Sequence, residues 1–231
     1  TQLAKIKAFK VTSRTSIMKY KDNKKSLKEI GNELGASIIL EGSVQKSGDK
    51  VRITAQLINA RNDEHLWAET YDRTLDDIFT IQTDIATKIA SALKANLSAE
   101  EEQGISKKYT LNTEAYQLYL QGRYEWNKRL EAPVRKSIDF FKQAIAMDST
   151  YALAYAGLGD AYLMLGVYSS LRPDESFPVG KMYAEKALQL DPSLAEAYAT
   201  LIDIHIHYDW DADAAEKYFQ KAIESNPEYA N

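Results

Sequence analysis

From Thr113 onward the apolar positions of this 231-residue chain recur at helical spacing, within a phrase that occurs three times. Ala144-Ile145-Ala146-Met147-Asp148-Ser149 returns 43 residues later as Ala187-Leu188-Gln189-Leu190-Asp191-Pro192, and 35 residues after that as Ala222-Ile223-Glu224-Ser225-Asn226-Pro227. A second phrase keeps the same time, Ala154-Tyr155-Ala156-x-Leu158 against Ala197-Tyr198-Ala199-x-Leu201. Each copy closes an apolar helical stretch with a polar residue followed by Pro or Ser. Repeats of this length predict stacked helix pairs, because one pair cannot bury its apolar face alone. Such an array points to a binding surface rather than a catalyst.

Before Leu97 the period changes. Val51, Ile53, Ala55 and Leu57 alternate with Arg52, Thr54 and Gln56, which predicts a strand with one buried face. Ile38 to Val44 reads as its partner, with Ser47-Gly48-Asp49-Lys50 as the hairpin turn. Further strands are expected over Leu66 to Tyr71 and Lys10 to Ser16. Leu27, Ile30 and Leu34 mark a short helix stopped near Gly35, while Ile78, Ile81, Ile85, Ile89 and Leu93 give a long stripe from about Asp76 to Leu97. Glu100-Glu101-Glu102 and Gly104 interrupt that stripe, so Ser98 to Asn112 reads as a linker, with Asn112 or Thr113 capping the next helix. The expected fold is an α+β domain over 1–97, a mixed sheet with packed helices, truncated at its start. A linker over 98–112 and an all-α solenoid over 113–231 follow, with helix pairs at 113–149, 150–192 and 193–227.

The repeated residues resemble the tetratricopeptide repeat, an antiparallel helix pair of about 34 residues with small residues where the helices touch. The second unit carries Tyr155, Leu158, Gly159 and Tyr162, then Gly180, Ala184, Ala187 and Pro192; the third carries Tyr198, Leu201 and His205, then Ala215, Phe219, Ala222 and Pro227. The first is looser, with Gly122, Ser137, Phe140, Phe141 and Ala144, a turn containing Pro133 about three residues long for the pattern, and Ser149 in place of the exit proline. Within the first hundred residues, Ser13-Arg14-Thr15-Ser16, Glu41-Gly42-Ser43-Val44, Val51 to Ile58, Leu66 to Arg73 and Ile81-Gln82 are similar to the TolB-N-terminal-like domain of bacterial regulatory proteins. That resemblance implies a position downstream of an effector: a class III adenylate or guanylate cyclase, a winged-helix DNA-binding domain or a protein kinase. It also implies a preceding strand and helix that this chain enters near their end.

Composition narrows the chemistry. There is no cysteine, which excludes disulfide scaffolds, thiolate metal sites and a cysteine nucleophile. The formal charge of −4 lacks the basic excess of a dedicated nucleic-acid surface; the run Arg14, Lys19, Lys21, Lys24, Lys25 and Lys28 reads as a solvated helix face. No apolar stretch suits a membrane span, and Thr1 to Lys10 lacks a signal peptide's apolar run. The chain reads as a piece of a longer polypeptide, in the cytoplasm or, if a membrane span precedes it, the periplasm. Its uncapped last repeat leaves an apolar end that allows self-association.

Catalytic and metal motifs do not assemble, and no cofactor is expected. His205 and His207 stand two apart on an expected helix, a spacing that does not chelate; His205 falls on a packing position and His65 at a strand entrance. Asp209-Trp210-Asp211-Ala212-Asp213 opens like an EF-hand loop but puts Ala214 where the turn needs Gly and Gln220 where the ion needs Glu. Asp209 or Asp211 is expected to cap the last helix, with Trp210 packed between helices. Glu41, Glu69 and Asp72 read as polar positions on the wet face of the sheet, and Trp67 and Tyr71 as core or docking residues. The partner-binding candidates are the positions that helical projection places on the leading helix of each pair. These are Tyr119, Arg123, Trp126 and Asn127 in the first, Asp160 and Met164 with Leu163 in the second, and Asp203 and His207 with Ile206 in the third. A protein or peptide partner is expected there, with apolar anchors and a basic residue for the two aspartates.

Overall fold

The alternating segments make an antiparallel sheet. Strands β1 (Ile38–Ser47), β2 (Lys50–Asn59) and β3 (Glu64–Thr74) pair in the order β1-β2-β3. The structure is a computed structural model that describes residues 3, 6–21, 24–74, 78–168 and 170–225. Among these the sheet is antiparallel throughout, not mixed, because both connections are tight turns and a parallel neighbour needs a crossover of about a dozen residues or more. Gly48, at φ 61°, makes the first turn in a conformation that costs glycine little. Val51, Ala55 and Leu57 are buried on one face with Tyr71 of β3; Ile58 is buried as well, beside a register shift that leaves Leu66 as an extra residue in β3. On the other face Arg52 donates to Asp72 at 2.7 Å and Gln56 to Glu41 at 3.0 Å.

The expected strand over Lys10 to Ser16 is absent. Its end is instead the helix α1 (Arg14–Met18), because the Ser13 hydroxyl accepts from the Ser16 N–H at 3.3 Å and caps a helical turn. Helix α2 (Leu27–Leu34) starts in a Ser26/Glu29 capping box and stops at Gly35, φ 63°, as its pattern predicts. Helix α3 spans Ile78–Ala92; the expected start at Asp76 lies outside the described residues. It ends short of Leu97 because Lys94 turns left-handed, φ 55°, and Ala95 N–H returns to the Ala90 carbonyl at 2.9 Å.

The stretch read as a linker holds a fourth helix, α4 (Ala99–Ser106). Its acidic run is a helix start. The Glu101 carboxylate accepts from Ser98 N–H at 2.8 Å and from Lys7 N–H at 2.7 Å, while Glu101 N–H donates to the Ser98 hydroxyl. Ile105, fully buried, then packs with Ile6, Ala86 and Ala90. The chain divides after this helix into compact units Thr1–Lys107 and Lys108–Asn231. Ser98→Ala should loosen α4 by about 1 kcal/mol. Amide exchange at Glu101 and Glu102 should then accelerate about fivefold; unchanged exchange would show that packing alone holds the helix.

Among the described residues the second unit holds three helix pairs: α5 (Thr113–Trp126) with α6 (Glu131–Met147), α7 (Ala152–Val167) with α8 (Pro173–Leu190), and α9 (Ala195–Ile204) with α10 (Ala212–Ser225). The first two pairs run antiparallel. Ala115 at the start of α5 packs with Ala144 near the end of α6, and Trp126 at its end with Val134; in the second pair Gly159 meets Ala184 and Gly166 meets Phe177. Small residues set the approach. A methyl on Gly159 would lie 3.0 Å from the Gly180 carbonyl oxygen, and one on Gly122 or Gly157 would enter the ring of Phe141, which joins the first pair to the second.

Pro133 sits inside the first turn of α6, where its missing N–H breaks no helical bond, so the preceding turn is shorter than the pattern suggested. Asp148 ends α6 without an exit proline. Its carboxylate accepts from Thr150 N–H at 2.9 Å, as Asp191 accepts from Ser193 N–H at 3.1 Å one repeat later. The repeated phrase therefore encodes an aspartate-centred turn in these two copies; the third copy's Asn226-Pro227 lies outside the described residues. Helix α9 runs into a π-helical turn, His205–Asp209, and Trp210, expected to pack between helices, is 85 % exposed with φ 55°. Asp211 caps α10 by accepting from Ala214 N–H at 3.0 Å, whereas Asp209 pairs with Lys181 at 2.7 Å.

Candidate partner-binding site on the leading helices

Helical spacing puts Tyr119, Arg123 and Trp126 along α5, and Asp160 and Met164 along α7. Packing of the first two pairs brings four of these together. Arg123 Nη1 lies 3.1 Å from Asp160 Oδ2, and its guanidinium stands over the Trp126 ring at 4.3 Å. Trp126 and Met164 are almost fully buried, in one cluster with Val134, Ile138 and Leu158. Burial pushes the Asp160 carboxyl above its ordinary range, and Arg123 opposes that shift.

The remaining candidates separate. Tyr119 is half-buried and packs against the core, its ring 5.8 Å from Phe141 and 5.3 Å from Tyr151, and desolvation pushes its hydroxyl up to about 12. Asn127 closes α5 by donating to the Arg123 carbonyl at 2.6 Å. Leu163 is buried with Phe177 and Ile204. Asp203 and His207 are exposed on the third pair; desolvation raises the Asp203 carboxyl and His207 opposes it.

One residue of this site has no signal in the sequence. Arg129, in the turn after α5, lies with its guanidinium 3.7 Å from the Trp126 ring centroid and donates to Met164 Sδ at 3.5 Å. It does so from a left-handed backbone, φ 57°, that favours glycine. Lys128 and Lys136 flank the turn and share a single carboxylate, Glu125, at 2.7 and 3.5 Å.

Other candidates stay apart. Glu69 is not on the wet face: it stands opposite Ala55 on the core face and accepts from Lys88 of α3 at 2.6 Å and from the Tyr71 hydroxyl at 3.0 Å. Glu41 and Asp72 point to the other face, so the three carboxylates do not converge. His205 is buried and stacks on Tyr218 at 5.5 Å, with Nδ1 3.0 Å from Asp209 Oδ2. Among the described residues no His, Cys, Asp and Glu side chains cluster as a metal site, and no helix is long and apolar enough to cross a membrane. In the first unit Lys28, Asn32, Ser37 and Arg61 line a cavity of about 190 Å³. That is below the ~300 Å³ at which small-molecule pockets usually begin.

No family model matches the chain. A curated protein named "Putative adenylate cyclase 3", from Rhizobium meliloti (strain 1021), is 30 % identical over 206 residues, which cover 87 % of this chain and 34 % of that protein. The chain thus spans about a third of the length of the curated relative it matches. Among solved structures, the crystal structure of MamA is similar with a TM-score of 0.39 and 22 % identity, over 68 % of this chain and 78 % of that one.

Proposed function

We propose that this chain is a non-catalytic interaction segment of a larger bacterial signalling protein, whose tetratricopeptide-like helix pairs take a partner's polypeptide along their leading helices. The observation behind this reading is the Arg123, Trp126, Asp160 and Met164 cluster, which joins α5 to α7 through charged and aromatic groups. Aromatic and arginine side chains are the groups that dominate interface energy. The first unit, read as TolB-N-terminal-like, would relay or receive the signal. Capture of partners on the immobilised chain tests the site. Arg123→Ala and Asp160→Ala should each reduce retention at least about fivefold, and unchanged partners in both variants would move the site elsewhere.

A second reading, the regulatory part of a class III cyclase, draws on the relative's name. On that reading, deleting this segment from the full-length parent changes its cyclic-nucleotide formation; a winged-helix regulator would change DNA binding instead.

A further inference from the structure

Three observations meet at the turn between α5 and α6. Arg129 holds a left-handed backbone conformation, φ 57°, that is strained for a non-glycine residue, at a position where glycine would fit without strain. What the side chain makes in return is a stack on Trp126, one weak bond to a thioether and a through-space attraction to Asp160, with no direct carboxylate ion pair among the described residues. A guanidinium carries five N–H donors, so most of its capacity remains for a ligand. Next to it, Trp126 Nε1–H is a buried donor with no acceptor. An unpaired buried donor is unfavourable, and an oxygen admitted to it would relieve that.

The local charge points the same way. Around the turn stand five cations, Arg123, Lys128, Arg129, Arg135 and Lys136, against three carboxylates, Asp160, Glu125 and Glu131, the last paired with Arg135 at 2.9 Å. The bridge from Arg123 occupies Asp160, which removes it as a dock for the basic residue expected from the sequence.

We infer that Arg129 is a specificity-determining residue of the proposed partner site, and that it receives an Asp or Glu side chain from the partner. This rests on the reading of the leading helices as the partner site. The acidic oxygens bridge the outer guanidinium N–H groups of Arg129, in the geometry that favours arginine for carboxylates. Exchanging a partially exposed guanidinium for a carboxylate reverses the sign of the field at this point and turns attraction into repulsion.

The test is selection of random internal peptides displayed on phage against the full chain, with wild type and Arg129→Glu in parallel and helical content checked by circular dichroism. Wild type should enrich Asp or Glu at one position at least about threefold over the library. Arg129→Glu should abolish that enrichment and favour Lys or Arg, and a wild-type peptide should bind it about tenfold more weakly. Adding that peptide should also shift the Trp126 indole N–H resonance and leave that of Trp67 in place. Equal acidic enrichment in both proteins, or selected peptides without acidic residues, overturns the role of Arg129 and leaves the partner site standing. A need for a free peptide C terminus overturns the choice of a side-chain carboxylate. Failure of wild type to enrich any peptide removes both the inference and the site beneath it.

Discussion

Phe141→Ala should destabilise the helical unit by about 3–5 kcal/mol, the range for removing a fully buried aromatic ring. Phe141 is completely buried on α6, and two leading helices close on it with glycines. Methyls at Gly122 and Gly157 would stand 2.5 and 2.8 Å from its Cε1 atom. One ring therefore ties the first pair to the second, and its loss leaves a cavity on both sides. Guanidinium unfolding followed by helical circular dichroism should show the transition displaced to lower denaturant. Gly122→Ala and Gly157→Ala should also destabilise, by about 1–3 kcal/mol each, because the added methyl overlaps the ring. Combined with Phe141→Leu, either glycine change should cost less than the sum of the two, since the smaller side chain makes room. A loss below about 1 kcal/mol for Phe141→Ala would mean that the pairs are not joined in this way.

Arg123→Met should cost about 1.5–3 kcal/mol at neutral pH, the usual worth of a hydrogen bond to a charged group, and much of that loss should be recovered on acidification. The Asp160 carboxyl is already raised above its ordinary 3.8 by burial, and Arg123 holds the shift in check. With its pKa higher folded than unfolded, the carboxyl binds more protons in the native state. Stability conferred by its neutral form is then present below 3.8 and is lost as pH climbs through the folded value. Removing Arg123 raises that value further, so the stability difference between variant and wild type should widen from acid toward neutral pH. Subtracting wild type at each pH cancels the other carboxylates. A difference that stays flat between about pH 4 and 7 would show that Arg123 is not the counter-ion of Asp160.

Much of the architecture was legible because it depends on local periodicity. The alternation through Val51 to Leu57, the glycine stop at Gly35 and the repeated alanine phrase each act within a few residues, so reading them needs no knowledge of the fold. The readings that failed missed either a contact from far along the chain or a local helix cap that hydrophobic periodicity does not register. Ser98 to Asn112 looked like a linker because its acidic run breaks an apolar stripe, yet Glu101 of that run forms a capping box with Ser98 and Ile105 finds a core on α3 and near Ile6. Lys10 to Ser16 looked extended until the Ser13 hydroxyl claimed a helical N–H. Trp210 looked like core by its size, but the π-helical turn before it shifts the chain and turns the indole outward.

The candidate site divides along the same line. Helical projection named Arg123, Trp126, Asp160 and Met164, along with Tyr119 and Asn127 that pack elsewhere, since three- and four-residue spacing fixes a helix face wherever the helix lies. Arg129 was not among them, because nothing in an arginine marks a left-handed turn, and its stack on Trp126 exists only once α6 has folded back.

The amino-acid order alone determined the three paired strands and the paired helices, since those preferences are set by neighbours one turn or one pleat away. Tertiary structure decided which charges meet: Arg123 with Asp160 across 37 positions, and Lys88 with Glu69 across 19. The physical reason is that a helix or strand prescribes its own faces but not what another element brings against them. Burial and ion pairing, which set the chemistry of the proposed site, come into being only when the pairs pack.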